Sequence, residues 1–121
     1  MKYGFIGCGN MGGALARALS HTTKDILISD FDSQKAKLFA EQIGASAADN
    51  ATVANECERI FLGVKPQMMS EMLSGIKDVL CAKKPILISM AAGIKISKIQ
   101  ELVGSALPVI RIMPNTPVSV G

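Results

Sequence analysis

Near the start of the chain, Gly7-Cys8-Gly9-Asn10-Met11-Gly12 separates a short apolar run, Tyr3-Gly-Phe-Ile6, from a helical pattern. The spacing G-x-G-x-x-G is common on its own; lodged between a strand and a helix it restricts the fold sharply. Gly7 permits a tight turn. Gly9 lets backbone approach a pyrophosphate with no Cβ in the way, and Gly12 lets the helix pack closely on the strand. The helix start then offers unpaired N–H groups and its positive dipole end to phosphate oxygens. The competing reading is a glycine-rich turn with no ligand.

The rest of the chain repeats this alternation. Ile26-Leu-Ile28, Ile60-Phe-Leu-Gly-Val64, Ile86-Leu-Ile88 and Val109-Ile-Arg-Ile112 read as strands, with a weak one near Ala45–Ala47. Between them lie helical patterns. Met11, Ala14, Leu15, Ala18 and Leu19 predict the buried face of the first helix, and Met69, Met72, Leu73, Ile76 and Leu80 that of a helix opened by Pro66. Ser33 is expected to cap a helix closing at Gly44, and Ser97-Lys-Ile-Gln100 resembles a capping box for a helix ending at Gly104. A short helix is expected near Ala51–Cys57. Apolar strands alternating with helices predict one domain over residues 1–121: a three-layer α/β/α, Rossmann-like, doubly wound fold with a mainly parallel sheet.

Composition removes several function classes. The net charge is +3 and the longest basic run is Lys83-Lys84, so no stripe for nucleic acid is present. Trp is absent and Tyr3 is the one tyrosine. Cys8, Cys57 and Cys81 are odd in number and form no C-x-x-C pair, which argues against a disulfide framework and for a reducing, cytoplasmic setting. With His21 as the single histidine, no tetrahedral metal site is expected. No apolar run reaches the roughly 18 residues of a membrane span, and the glycines of the first segment argue against a signal peptide. Methionines and cysteines are assigned to packing.

Ligands of open parallel sheets bind at the carboxyl ends of the strands. Asp30 ends the second strand, 18 residues beyond Gly12. An acidic residue there accepts from adenosine ribose hydroxyls and repels a 2′-phosphate, which favours NADH without excluding NADPH. Alternatively, Asp30 or Asp32 caps the next helix. Lys35 and Lys37 follow closely. Gly63-Val64-Lys65-Pro66 stands at the same edge after the fourth strand and Met90-Ala91-Ala92-Gly93 after the fifth. The small residues of the latter suit a flat nicotinamide ring or tight packing. Arg111-Ile-Met-Pro-Asn-Thr-Pro117 closes the sixth strand with two prolines around Asn115, a stiff turn carrying polar groups. The end at Gly121, straight after this loop, is expected to be a truncation.

Taken together, Gly4-Phe-Ile-Gly-Cys-Gly-Asn-Met-Gly12, Gly63-Val-Lys-Pro66, Ser89-Met-Ala-Ala-Gly93 and the Met-Pro-Asn-Thr-Pro117 run resemble pyrroline-5-carboxylate reductases along the whole chain. The first piece is shared with many Rossmann proteins; the combination of the others is far more specific. The resemblance implies hydride transfer from NADPH or NADH to 1-pyrroline-5-carboxylate, giving L-proline. It implies pyrophosphate binding by Ile6, Gly7, Cys8, Gly9, Asn10 and Met11, with Ser29 and Asp30 near the adenosine ribose. Asn50 would touch the same half of the cofactor. Gly63, Val64, Lys65 and Pro66 would line it, Met90 and Ala92 would flank the nicotinamide, and Asn115 would lie near nicotinamide and substrate. Family members continue into a helical domain that dimerises and binds the substrate, so this chain is expected to hold cofactor while turning over little. Another imine or β-hydroxyacid-type reductase, or a non-catalytic dinucleotide-binding module, is the alternative.

Overall fold

The computed structural model describes residues 2–91 and 93–112. Six strands form a single sheet: β1 (Tyr3–Ile6), β2 (Ile26–Ser29), β3 (Ser46–Ala47), β4 (Arg59–Leu62), β5 (Ile86–Ser89) and β6 (Val109–Arg111). Their order is β3-β2-β1-β4-β5-β6 and every pairing is parallel. Five helices connect them: α1 (Asn10–Leu19), α2 (Ser33–Ile43), α3 (Asn50–Glu56), α4 (Pro66–Lys83) and α5 (Ile96–Val103). This is the doubly wound Rossmann-like α/β fold that the β-α alternation predicts.

Because strand side chains alternate, the sheet feeds two cores. Phe5, Ile26 and Ile28 pack with Ala16 of α1 and Ala36, Ala40 and Ile43 of α2. On the other face, Ile6, Ile60, Leu62 and Leu87 pack with Val53 of α3, with Leu73 and Leu80 of α4 and with Ile99 of α5. One register row crosses the first face as Ile28, Phe5, Phe61, Ile88 and Ile110. Phe5 and Phe61 stack there with centroids 4.5 Å apart. Cover thins along this row: Phe5 is fully buried, whereas Ile110 on the edge strand is 50% exposed.

Three local expectations are corrected. The buried face of α1 is Gly12, Gly13 and Ala16, not the Met11-to-Leu19 stripe; Met11, Ala14 and Ala18 are exposed, and Leu15 and Leu19 half-buried. The first turn of the helix lies so close to the preceding turn that a Cβ on Gly12 would strike the carbonyl oxygen of Gly7 and one on Gly13 would come within 3.2 Å of that of Cys8. Asp32, not Ser33, caps α2, its Oδ1 accepting from the amides of Gln34 and Lys35. The capping box at Ser97 does not form: α5 begins at Ile96 after an uncapped Lys95, and Gln100 instead donates to the carbonyl of Leu107. By contrast, Gly44 and Gly104 end their helices in the left-handed conformation, as read. The α4 face also buries as predicted, with Met72 only half-buried.

Candidate dinucleotide site

The strand order reverses direction between β1 and β4, and that switch point opens a crevice at the carboxyl ends of the two strands. The turns that follow the strands are tied to their neighbours by backbone hydrogen bonds. The amide of Gly7 donates to Ser29 O at 2.8 Å, that of Gly63 to Ile6 O at 2.8 Å and that of Met90 to Leu62 O at 3.1 Å. Gly7 has φ +97°, and a Cβ there would stand 2.7 Å from the carbonyl carbon and oxygen of Gly63. A Cβ on Gly12 would strike the carbonyl oxygen of Gly7.

Gly9 is different. A Cβ added to it would meet nothing within 4 Å. As the N-cap of α1 it gives no side-chain cap, and no acidic residue stands in the first turn. The first amides of α1 have no partner inside the helix, as at any helix start. Unoccupied volume over Gly9, open N–H groups and the dipole's positive end fit a pyrophosphate.

Beside this turn lies a cavity of about 730 Å³, within the range of small-molecule and cofactor sites. Ile6, Ser29, Asp30, Asn50 and Val64, all named from the sequence, line it. The hydroxyl of Ser29, itself buried, donates to Asn50 Oδ1, tying the end of β2 to the start of α3. Lys37, noted behind Asp30 in the sequence, lines it too, and further lining residues carry no motif signal of a site: Phe31 after β2, Asp49 before α3, and Met68, Glu71 and Met72 of α4. Proximity across the crevice leaves no periodic trace in a sequence. A bulky residue between two cap-forming aspartates was the one signal for Phe31.

Asp30 is held from three directions. Its Oδ2 accepts from the Cys8 amide at 2.8 Å and from the Cys8 thiol at 3.3 Å, and its Oδ1 accepts from the Asp32 amide at 3.0 Å. Partial burial opposes ionisation, but the two amide hydrogen bonds, the thiol and the charge of Lys35 together outweigh it and hold the carboxyl below its ordinary value. An ionised carboxylate has about four acceptor positions, so room remains for a ribose hydroxyl.

The other named residues divide. Lys65 and Pro66 are exposed at the start of α4, beyond the cavity lining. Met90 is buried, and its Cε lies 3.1 Å from where a Cβ on Gly63 would be, so its side chain plugs the underside of the glycine turns. Ala92 and Asn115 lie outside the described residues. Among the described residues no group of three or more His, Cys, Asp or Glu could hold a metal, and no helix is long and apolar enough to cross a membrane.

The cysteines pack, as expected. Burial, reinforced by the Asp30 carboxylate, pushes the Cys8 thiol from 9.0 up to about 11, and burial pushes Cys57 up to about 12. Both native thiols thus stay protonated where an unfolded thiol ionises. Their contribution to stability is complete below about pH 9 and is lost as pH climbs through 11 to 12. The urea midpoint should accordingly fall on raising pH from 8 to 11, and fall less steeply in Cys57→Ala. Parallel declines in the two proteins would remove this thiol as a cause.

Residues 2–93 match a family model described as NADP oxidoreductase, coenzyme F420-dependent. A pyrroline-5-carboxylate reductase of Haemophilus influenzae is 38% identical in an alignment 120 residues long that covers 97% of this chain and 44% of that protein. A solved pyrroline-5-carboxylate reductase of Coxiella burnetii superposes with a TM-score of 0.89 at 31% identity, over 98% of this chain and 46% of that one. A Plasmodium falciparum pyrroline carboxylate reductase, solved with NADP bound, gives 0.80 at 30% identity, over 99% and 44%. The chain therefore spans a little under half the length of these relatives.

Proposed function

The chain belongs to the family of coenzyme F420-dependent NADP oxidoreductases, and from that premise we propose that it is the cofactor-binding portion of a pyrroline-5-carboxylate reductase. What carries the reading is how far the likeness reaches. The family model ends at residue 93, whereas the likeness to the Haemophilus influenzae reductase extends over 97% of the chain. It therefore takes in strand β6 and part of the Pro-Asn-Thr-Pro segment.

A nicotinamide dinucleotide held here would supply the hydride for the carbon of a protonated cyclic C=N bond, the reduction that gives L-proline. This chain's own residues bind and orient. The turn at Gly7–Gly12 and the amides of α1 receive the pyrophosphate. Ser29, Asp30 and Asn50 would hold the adenosine half, and Gly63–Pro66 would line the cofactor beyond it. The side chain of Met90 packs against the glycine turns, and the resemblance assigns Met90, Ala92 and Asn115 to the nicotinamide end. Substrate binding and self-association fall to the part of the relatives that this chain does not match.

Titration of the 121-residue chain with NADH, followed by the reduced nicotinamide's fluorescence, tests the cofactor role; saturable binding is the expected result. Given pyrroline-5-carboxylate and either reduced cofactor, the same chain should form no proline above the uncatalysed background. Absence of any nucleotide binding would overturn the first assignment. Sustained proline formation would overturn the division of labour.

A further inference from the structure

Phe31 is the most exposed large apolar residue among the described ones, at 91%; the next, Leu38, is 60% exposed. A single exposed hydrophobe is ordinary. Three observations set this one apart. It lines the cavity beside the glycine turn. It stands between two anchored residues, since Asp30 Oδ1 accepts from the Asp32 amide while Asp32 Oδ1 caps α2 through Gln34 and Lys35. The backbone on both sides is therefore pinned, although the ring itself has almost no cover. It also directly follows Asp30, whose remaining acceptor capacity suits a ribose.

We propose that Phe31 is the platform on which the adenine ring of the cofactor stacks, and hence a residue through which this cavity favours the adenine-bearing dinucleotide over a ligand that lacks the base. The inference rests on the dinucleotide reading above. A purine attached to a ribose at Asp30 lies within one residue's reach of the aromatic face. Stacking covers both rings at once, and the pinned turn means that little backbone order is lost on binding. Lys37, on the same cavity wall, adds a cation beside the site without closing it.

The test compares the unaltered chain with Phe31→Ala and Phe31→Tyr in binding ADP-ribose, NADH and reduced nicotinamide mononucleotide. Phe31→Ala should weaken ADP-ribose and NADH alike by about fivefold or more, the loss of one base–aromatic stack. Phe31→Tyr should stay within about twofold of the original, because a stack of the same kind survives. The mononucleotide, which has no adenine, should bind all three proteins equally. Thermal midpoints should coincide, since so exposed a ring holds nothing in place. If the unaltered chain binds ADP-ribose and Phe31→Ala binds it equally well, the platform is refuted and the dinucleotide reading stands. An equal loss for the mononucleotide also refutes it. If the unaltered chain binds none of the three, both fall together.

Discussion

Gly7→Ala should cost the protein about 3 kcal/mol or more, a large part of the 5–15 kcal/mol that holds a domain of this kind folded, whereas Gly9→Ala, two residues away, should leave the thermal midpoint within about 2 °C. At Gly7 two penalties combine. The backbone is at φ +97°, where a Cβ costs about 1–2 kcal/mol. That Cβ would also stand 2.7 Å from the Gly63 carbonyl, and neither turn can retreat, because hydrogen bonds to Ser29 and Ile6 hold both. At Gly9 the added methyl enters open space. Its effect should appear on binding: the methyl occupies volume assigned to the pyrophosphate, so NADH affinity should fall about tenfold or more, some 1.4 kcal/mol. Urea denaturation and NADH titration of the two variants separate these effects. Unchanged NADH affinity in Gly9→Ala would detach the phosphate from this loop.

The second expected result concerns the adenosine ribose. The unaltered chain should bind NADH more tightly than NADPH, and Asp30→Ser should shift the ratio of the two affinities toward NADPH by about tenfold or more. Three carboxylates, Asp30, Asp49 and Glu71, line the cavity against one ammonium, Lys37. Asp30 is ionised well below neutrality and fixed by three donors, so it cannot turn away from an arriving 2′-phosphate. Removing one charge from beside a phosphate in a partly solvated site is worth about 1–3 kcal/mol on the Coulomb scale. Serine keeps an oxygen that can accept from the Cys8 amide, which limits damage to the turn. The measurement is the pair of dissociation constants at one ionic strength, with thermal midpoints as the control for folding. An unaltered ratio in Asp30→Ser would leave the carboxylate no part in the choice of cofactor.

Much of this was legible in the sequence because two periodicities are loud. Apolar runs such as Ile60–Leu62 and Ile86–Ile88 mark buried parallel strands, and the α4 stripe marks a helix that covers them. The glycine turn was legible because each glycine answers a separate steric need, two of them visible as backbone collisions and one as empty space. What failed shares a cause. The centre of the α1 contact face is glycine and alanine, which carry almost no hydrophobic signal, so the larger residues marked only its margin, where Leu15 and Leu19 pack against the core while Met11 stays exposed. Asp32 and Ser33 are both good caps, and only the path of the chain chooses between them. Phe31 left only its place between two aspartates as a signal, because neither pattern nor spacing records that a ring is left uncovered beside a cavity.

The thinning of cover along the row from Phe5 to Ile110 also orders the molecule in time. Local openings cost least where few buried contacts must break, and here that means β6 and the two-residue β3, at opposite margins of the sheet. Strands β1 and β4 are flanked on both sides and sit over both cores, so they separate only when the whole domain comes apart. The crevice that receives the pyrophosphate is built on those two strands. Its geometry therefore persists through the fluctuations that fray the margins, and a cofactor returning to the protein meets a seat already formed.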